Sequence, residues 1–163
     1  MFNRVMAGER HSCLHGQKIK RDKLMSENKK TILLVEDDYL DVVSVQRVLK
    51  KLFIKYDLHI VHNGVDALAM LNGSDARAKI LPDIILLDIN MPRMDGLEFL
   101  RIIRNYYTFN SIKIFIMTTS SDEYDKLAAE NLNVNGYILK PLELTDEKLR
   151  TPDSQALLEE LMN

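Results

Sequence analysis

The run Ile84-Ile85-Leu86-Leu87-Asp88-Ile89-Asn90-Met91-Pro92 decides how this chain is read. Four aliphatic residues lead straight into one carboxylate, and Asn90, Pro92 and Gly96 mark the loop that follows. A short continuous apolar run of this kind predicts a strand buried on both faces, as in parallel sheets. An ionised Asp at the end of such a strand is costly without a partner. The carboxyl edge of an open α/β sheet is also where ligands bind. Asp88 is therefore the first candidate for chemistry.

Outward from that strand, apolar runs and helical patterns alternate. Further strands are expected at Thr31–Val35, Leu58–His62, Ile112–Met117 and Gly136–Leu139. Helices are expected at Tyr39–Lys51, with Leu40, Val43, Val48 and Leu52 among its apolar positions, and at Gly64–Leu71. Others fall at Gly96–Arg104 (Leu97, Leu100 and Ile103 on one face), at Asp122–Asn131 behind a Ser120 or Ser121 cap, and at Ser154–Met162. Five such units predict an α/β fold, a doubly wound five-stranded parallel sheet with helices on both faces.

The chain has 163 residues, enough for one domain with a good core. Its formal net charge of -2 provides no basic field for nucleic acid. No apolar run reaches the roughly 18 residues of a membrane span, and no signal peptide is visible. Cys13, the single cysteine, excludes an intramolecular disulfide and fits a reducing compartment, so a cytoplasmic location is expected. Residues 1–28 are polar and basic without periodicity and are expected to be a disordered extension, leaving 29–163 as the folded domain. His11, Cys13 and His15 within it are too few for a structural zinc site.

Polar groups follow the apolar strands at one edge. The first strand runs into Glu36-Asp37-Asp38, the third into Asp88, the fourth into Thr118-Thr119-Ser120 and the fifth into Lys140-Pro141. Three carboxylates gathered there repel one another within about 6 Å, and a divalent cation removes that cost. Few carboxylates with open positions suit Mg²⁺, which keeps several waters and bridges to phosphate oxygens. Lys140 adds a point charge for an anion and Thr118 a hydroxyl donor. The set reads as a device for holding a phosphoryl group on a carboxylate.

These motifs, in this order and spacing, resemble the receiver domain of two-component response regulators. The resemblance rests on Val35-Glu36-Asp37-Asp38, Leu87-Asp88-Ile89-Asn90-Met91-Pro92-Arg93-Met94-Asp95-Gly96, Met117-Thr118-Thr119-Ser120 and Gly136-Tyr137-Ile138-Leu139-Lys140-Pro141, and runs from Thr31 to the C-terminus. It implies the flavodoxin-like receiver fold with Asp88 as phosphoacceptor. It further implies Glu36, Asp37, Asp88 and the Asn90 backbone carbonyl around Mg²⁺, for which Mn²⁺ can substitute. Thr118 and Tyr137 would be the switch pair, Lys140 the phosphoryl-binding lysine, and the Lys140–Pro141 bond is often cis in the family. Asn90 and Ser120 would control water access to the phosphoryl group. Asp38, one place beyond the acidic pair, reads instead as a helix cap.

The resemblance makes the chain a phosphorelay switch that assists its own phosphorylation and dephosphorylation rather than an enzyme with turnover. Its partner would be a sensor histidine kinase or a histidine phosphotransfer protein. Too little chain follows Pro141 for a DNA-binding domain, so a stand-alone regulator is expected. A homodimer would use the face of the 122–131 helix and the fifth strand. Two departures stand out: extra residues in Asn72–Pro82, and a polar Leu142–Pro152 in which Pro152 is expected to stop or kink a helix. With Thr118-Thr119 they resemble the small regulators paired with phytochromes. Two competing readings are an Asp-nucleophile phosphatase, which would want a second acid where Asn90 stands, and a phosphorylation-independent adaptor.

Overall fold

The structure is a computed structural model, and it describes residues 29–74, 79–119, 131–143 and 151–163. In chain order the elements are β1 (Lys30–Val35), α1 (Tyr39–Lys51), β2 (Tyr56–Val61), α2 (Gly64–Asn72), β3 (Ile84–Asp88), α3 (Gly96–Arg104), a 3₁₀ turn (Tyr107–Phe109), β4 (Lys113–Thr118), β5 (Gly136–Leu139) and α4 (Pro152–Met162). All strand pairs are parallel, in the order β2-β1-β3-β4-β5. The doubly wound five-stranded sheet expected from the sequence is therefore what forms. The expected 122–131 helix, its serine cap, the dimer face built on it and the N-terminal extension lie outside the described residues.

Alternation along the central strands feeds two separate cores. Leu33, Val35, Ile85 and Leu87 point to one side, where they pack with Ala67, Leu71, Phe99, Leu100 and Ile103 from α2 and α3. Ile32, Leu34, Ile84 and Leu86 point to the other and meet Val42, Val45, Val48 and Leu49 of α1 and Leu157 and Leu161 of α4. Both faces are covered, so neither can be polar, and the sequence of β3 shows no alternation. Each fully buried aliphatic side chain contributes roughly 1.5–3 kcal/mol.

Each described α-helix opens on a side-chain cap, worth about 1 kcal/mol. Asp38 accepts from the amides of Leu40 and Asp41, as expected. Asn63 caps α2, Asp95 caps α3 and Thr151 caps α4. Gly73 closes α2 in the left-handed conformation, with φ +75°.

Three expectations shift. The buried stripe of α1 is Val42, Val45, Val48 and Leu49, which pack on the sheet, while Leu40 is 75% exposed on the helix's outer side. β2 begins at Tyr56 and ends at Val61, in register with Lys30–Val35 of β1. Pro152 does not break a helix; it stands in the first turn of α4, where a missing N–H leaves no bond unmade.

Candidate functional site

The registers bring the polar strand ends together. Val35 lies opposite Leu87, so Glu36 follows beside Asp88. Asp88 pairs with Met117, and Thr118 pairs with Leu139, so Thr118 and Lys140 continue along the same edge. The Lys140 amide donates to the Thr118 carbonyl at 2.7 Å, which ties β5's end to β4's. β1 and β3 are neighbours whose following connections leave to opposite faces, the switch point at which an open α/β sheet offers a crevice.

Glu36 is completely buried and Asp88 nearly so, while Asp37 is exposed. Carboxylate oxygens of the three lie within 4.8 Å of one another. The Lys140 ammonium sits 2.7 Å from Glu36 Oε2, 3.0 Å from Asp88 Oδ1 and 3.1 Å from Asp41 Oδ2. Glu36 Oε1 accepts from the Asp38 amide at 3.1 Å, and the Asn90 amide donates to the Asp88 carboxylate. Lys140–Pro141 is a cis peptide bond, as the resemblance implied. Tyr137 is half-buried against the α2/α3 core, and its amide donates to Asp153 Oδ2 at 3.0 Å.

Burial sets the electrostatics. Desolvation pushes the Glu36 carboxyl up, with the Lys140 hydrogen bond opposing and the Asp88 charge adding to the rise. Desolvation also raises Asp88, against the pull of Lys140, and the Asp37 charge adds to it. For Lys140 burial alone would lower the pKa; the hydrogen bonds it donates to Glu36 and Asp88 outweigh this and hold the ammonium above its ordinary value.

The donor set fits a hard divalent cation. Asp37 and Asp88 offer anionic oxygens from adjacent strand ends, and buried Glu36 Oε2, 2.7 Å from the Lys140 ammonium, stands in the same cluster. One ammonium shared among Glu36, Asp88 and Asp41 leaves excess negative charge for a cation to balance.

Every candidate site residue from the sequence is among the described residues except Ser120. Asp41 was not a candidate. A first-turn acid reads as a complement to the helix dipole, and its sequence gives no sign that it reaches Lys140.

Comparison with known proteins gives the same class. Residues 32–151 match the family model of the response regulator receiver domain, and the chain belongs to that family. Response regulator Rcp1 of Synechocystis is 39% identical over 118 residues, covering 72% of this chain and 80% of Rcp1. The crystal structure of Mn(2+)-bound Rcp1 superposes with a TM-score of 0.67 at 34% identity, covering 81% of this chain and 94% of that one. A two-component response regulator from Legionella pneumophila superposes at 0.65 with 44% identity, covering 71% and 89%. The phosphorylated cyanobacterial phytochrome response regulator RcpA gives 0.64 at 31% identity, covering 83% and 90%. The chain is thus a response regulator receiver domain of phosphorelay signalling, a class that works with histidine kinases and binds a divalent metal.

Proposed function

We propose that Asp88 is the phosphoacceptor of a cytoplasmic response regulator, served by a sensor histidine kinase of phytochrome type or by a histidine phosphotransfer protein. The observation that carries this reading is Lys140 Nζ, 3.0 Å from Asp88 Oδ1 and 2.7 Å from buried Glu36, inside a cluster of three carboxylates. Residues 29–163 form the receiver unit, since α4 supplies Leu157 and Leu161 to its core, and 1–28 precede it as an extension.

In the transfer an Asp88 carboxylate oxygen attacks the phosphorus of the phosphohistidine. The new P–O bond forms as the P–N bond breaks, and its electron pair leaves with the imidazole. Lys140 supplies fixed positive charge where the equatorial oxygens gather negative charge, so catalysis is by positioning and electrostatics. Glu36, Asp37, Asp88 and the Asn90 carbonyl would hold Mg²⁺, or Mn²⁺ in its place. That ion neutralises phosphoryl charge when bound. The product carries new negative charge and acceptor oxygens. Thr118 turns its hydroxyl toward them, and Tyr137 fills the space vacated, a shift between two packings. Phytochrome pairing is supported by the likeness to RcpA.

The test is Mg²⁺-dependent labelling by acetyl phosphate with mass-spectrometric mapping of the modified residue. Label on Asp88 supports the reading. Its absence under Mg²⁺, or its appearance elsewhere, overturns it.

A further inference from the structure

Lys140 has a third carboxylate partner that the receiver reading does not use. Asp41 lies in the first turn of α1, and its Oδ2 is 3.1 Å from Lys140 Nζ. An ammonium has three N–H donors, and here three carboxylates share them. A phosphoryl oxygen arriving on Asp88 can take a hydrogen bond from Lys140 only by displacing one of these partners.

The three differ in what release costs. The Glu36 side chain is 0% exposed, so giving up the ammonium would strand a buried charge. Asp88, at 8%, carries the incoming group itself. Asp41 is 19% exposed, at the N-terminus of a helix where water and the helix dipole can receive its charge. Asp41 is the partner that can leave.

Resting on the receiver reading, we propose that Asp41 is a positioning residue: it holds Lys140 in the unmodified protein and releases it when a phosphoryl group occupies Asp88. The release transmits occupancy of the site to α1. That helix is tied to the same segment at a second point, where Ser44 Oγ donates to the Leu142 carbonyl at 2.7 Å, just past the cis Pro141. The two ties differ in kind: Asp41 grips the responding charge, and Ser44 grips only main chain.

The test uses the full-length chain with Mg²⁺ and beryllofluoride, a phosphoryl mimic, with affinity read by titration and the α1 amides by NMR. In the wild type, the Asp41 and Val42 amides should shift on binding. Asp41→Asn should bind beryllofluoride roughly fivefold tighter, because less is displaced and a negative charge is gone, while the α1 shift shrinks. Asp41→Glu should restore wild-type affinity. Ser44→Ala should lower Tm without changing affinity. The inference fails if Asp41→Asn binds as the wild type does, if the α1 amides stay still on binding, if Asp41→Glu behaves like Asn, or if Ser44→Ala tightens binding equally. Wild-type protein that does not bind beryllofluoride overturns the receiver reading as well, which separates the two failures.

Discussion

Lys140 and Arg104 are both cations drawn into the protein, and they are satisfied in opposite ways. Lys140 is surrounded by the carboxylates of Glu36, Asp88 and Asp41. Arg104, at the end of α3, donates to the carbonyls of Leu132, Phe109, Ile112 and Asn133 at 2.7–3.3 Å. Burial lowers the Arg104 pKa, and no carboxylate pairs with it among the described residues. Neutral carbonyls fixed in turns have nowhere else to go, so Arg104 is a rivet joining α3, the 3₁₀ turn and the segment before β5. Carboxylates can trade one cation for another. A charge held by charges can serve as a switch, whereas one held by main-chain dipoles can only be structural.

The sharpest test swaps each cation for an isosteric apolar chain. Lys140→Met should slow acetyl phosphate labelling of Asp88 roughly hundredfold, the scale of one lost electrostatic contact. Any stability it loses should be largely recovered by Mg²⁺, which rebalances Glu36 and Asp88; thermal melts with and without metal read this. Arg104→Met should cost about 3 kcal/mol in urea unfolding, because four carbonyls lose a charged donor at once. Mg²⁺ should not restore it, and the labelling rate of the folded fraction should stay within about twofold. Metal rescue of the Arg104 variant would erase the distinction.

Next in size is Asp37→Asn. It should weaken Mg²⁺ binding about tenfold by calorimetry yet raise the Tm of the metal-free protein, since it relieves Asp88 of a neighbouring charge. The pH dependence follows from the raised Glu36 and Asp88 carboxyls. A group whose folded pKa exceeds its unfolded value favours the folded state when protonated, and that contribution disappears as pH rises through the raised value. The metal-free protein should therefore lose it above the ordinary carboxylate range of about 4, and the Tm gain on adding Mg²⁺ should grow with pH. A gain that shrank between about pH 5 and about pH 8 would contradict the buried-charge account. The smallest effect lies away from both cations: Phe53 holds a left-handed φ of 53° while 85% exposed. Phe53→Gly should stabilise by about 0.5–1 kcal/mol with labelling unchanged.

The contrast also explains what could be read from the sequence. Asp88 and Lys140 were legible because each stands at the end of an apolar strand, where a charge is conspicuous. The unbroken Ile84–Leu87 run already implied two covered faces, and both cores are there. Arg104 was invisible because its partners are carbonyls, which every residue has, at positions only the fold brings near. Asp41 was hidden by a sufficient local explanation, the helix dipole. Pro152 was misread because a fixed φ suits the start of a helix as well as it prevents a middle. Leu40 is one of the apolar positions at helical spacing, yet it faces outward, because spacing fixes a stripe's period but not its phase.

Gly96 has a consequence for how this chain can vary. Its amide bonds the Ile89 carbonyl at 2.9 Å, and a Cβ there would fall on the carbonyl oxygen of Asp88 itself. Residues 90–95 thus form an arch whose two feet touch. Any side chain at 96 would push the start of α3 away from the Asp88 main chain, so the spacing between the end of β3 and the helix that follows it is set by the one residue that carries no Cβ.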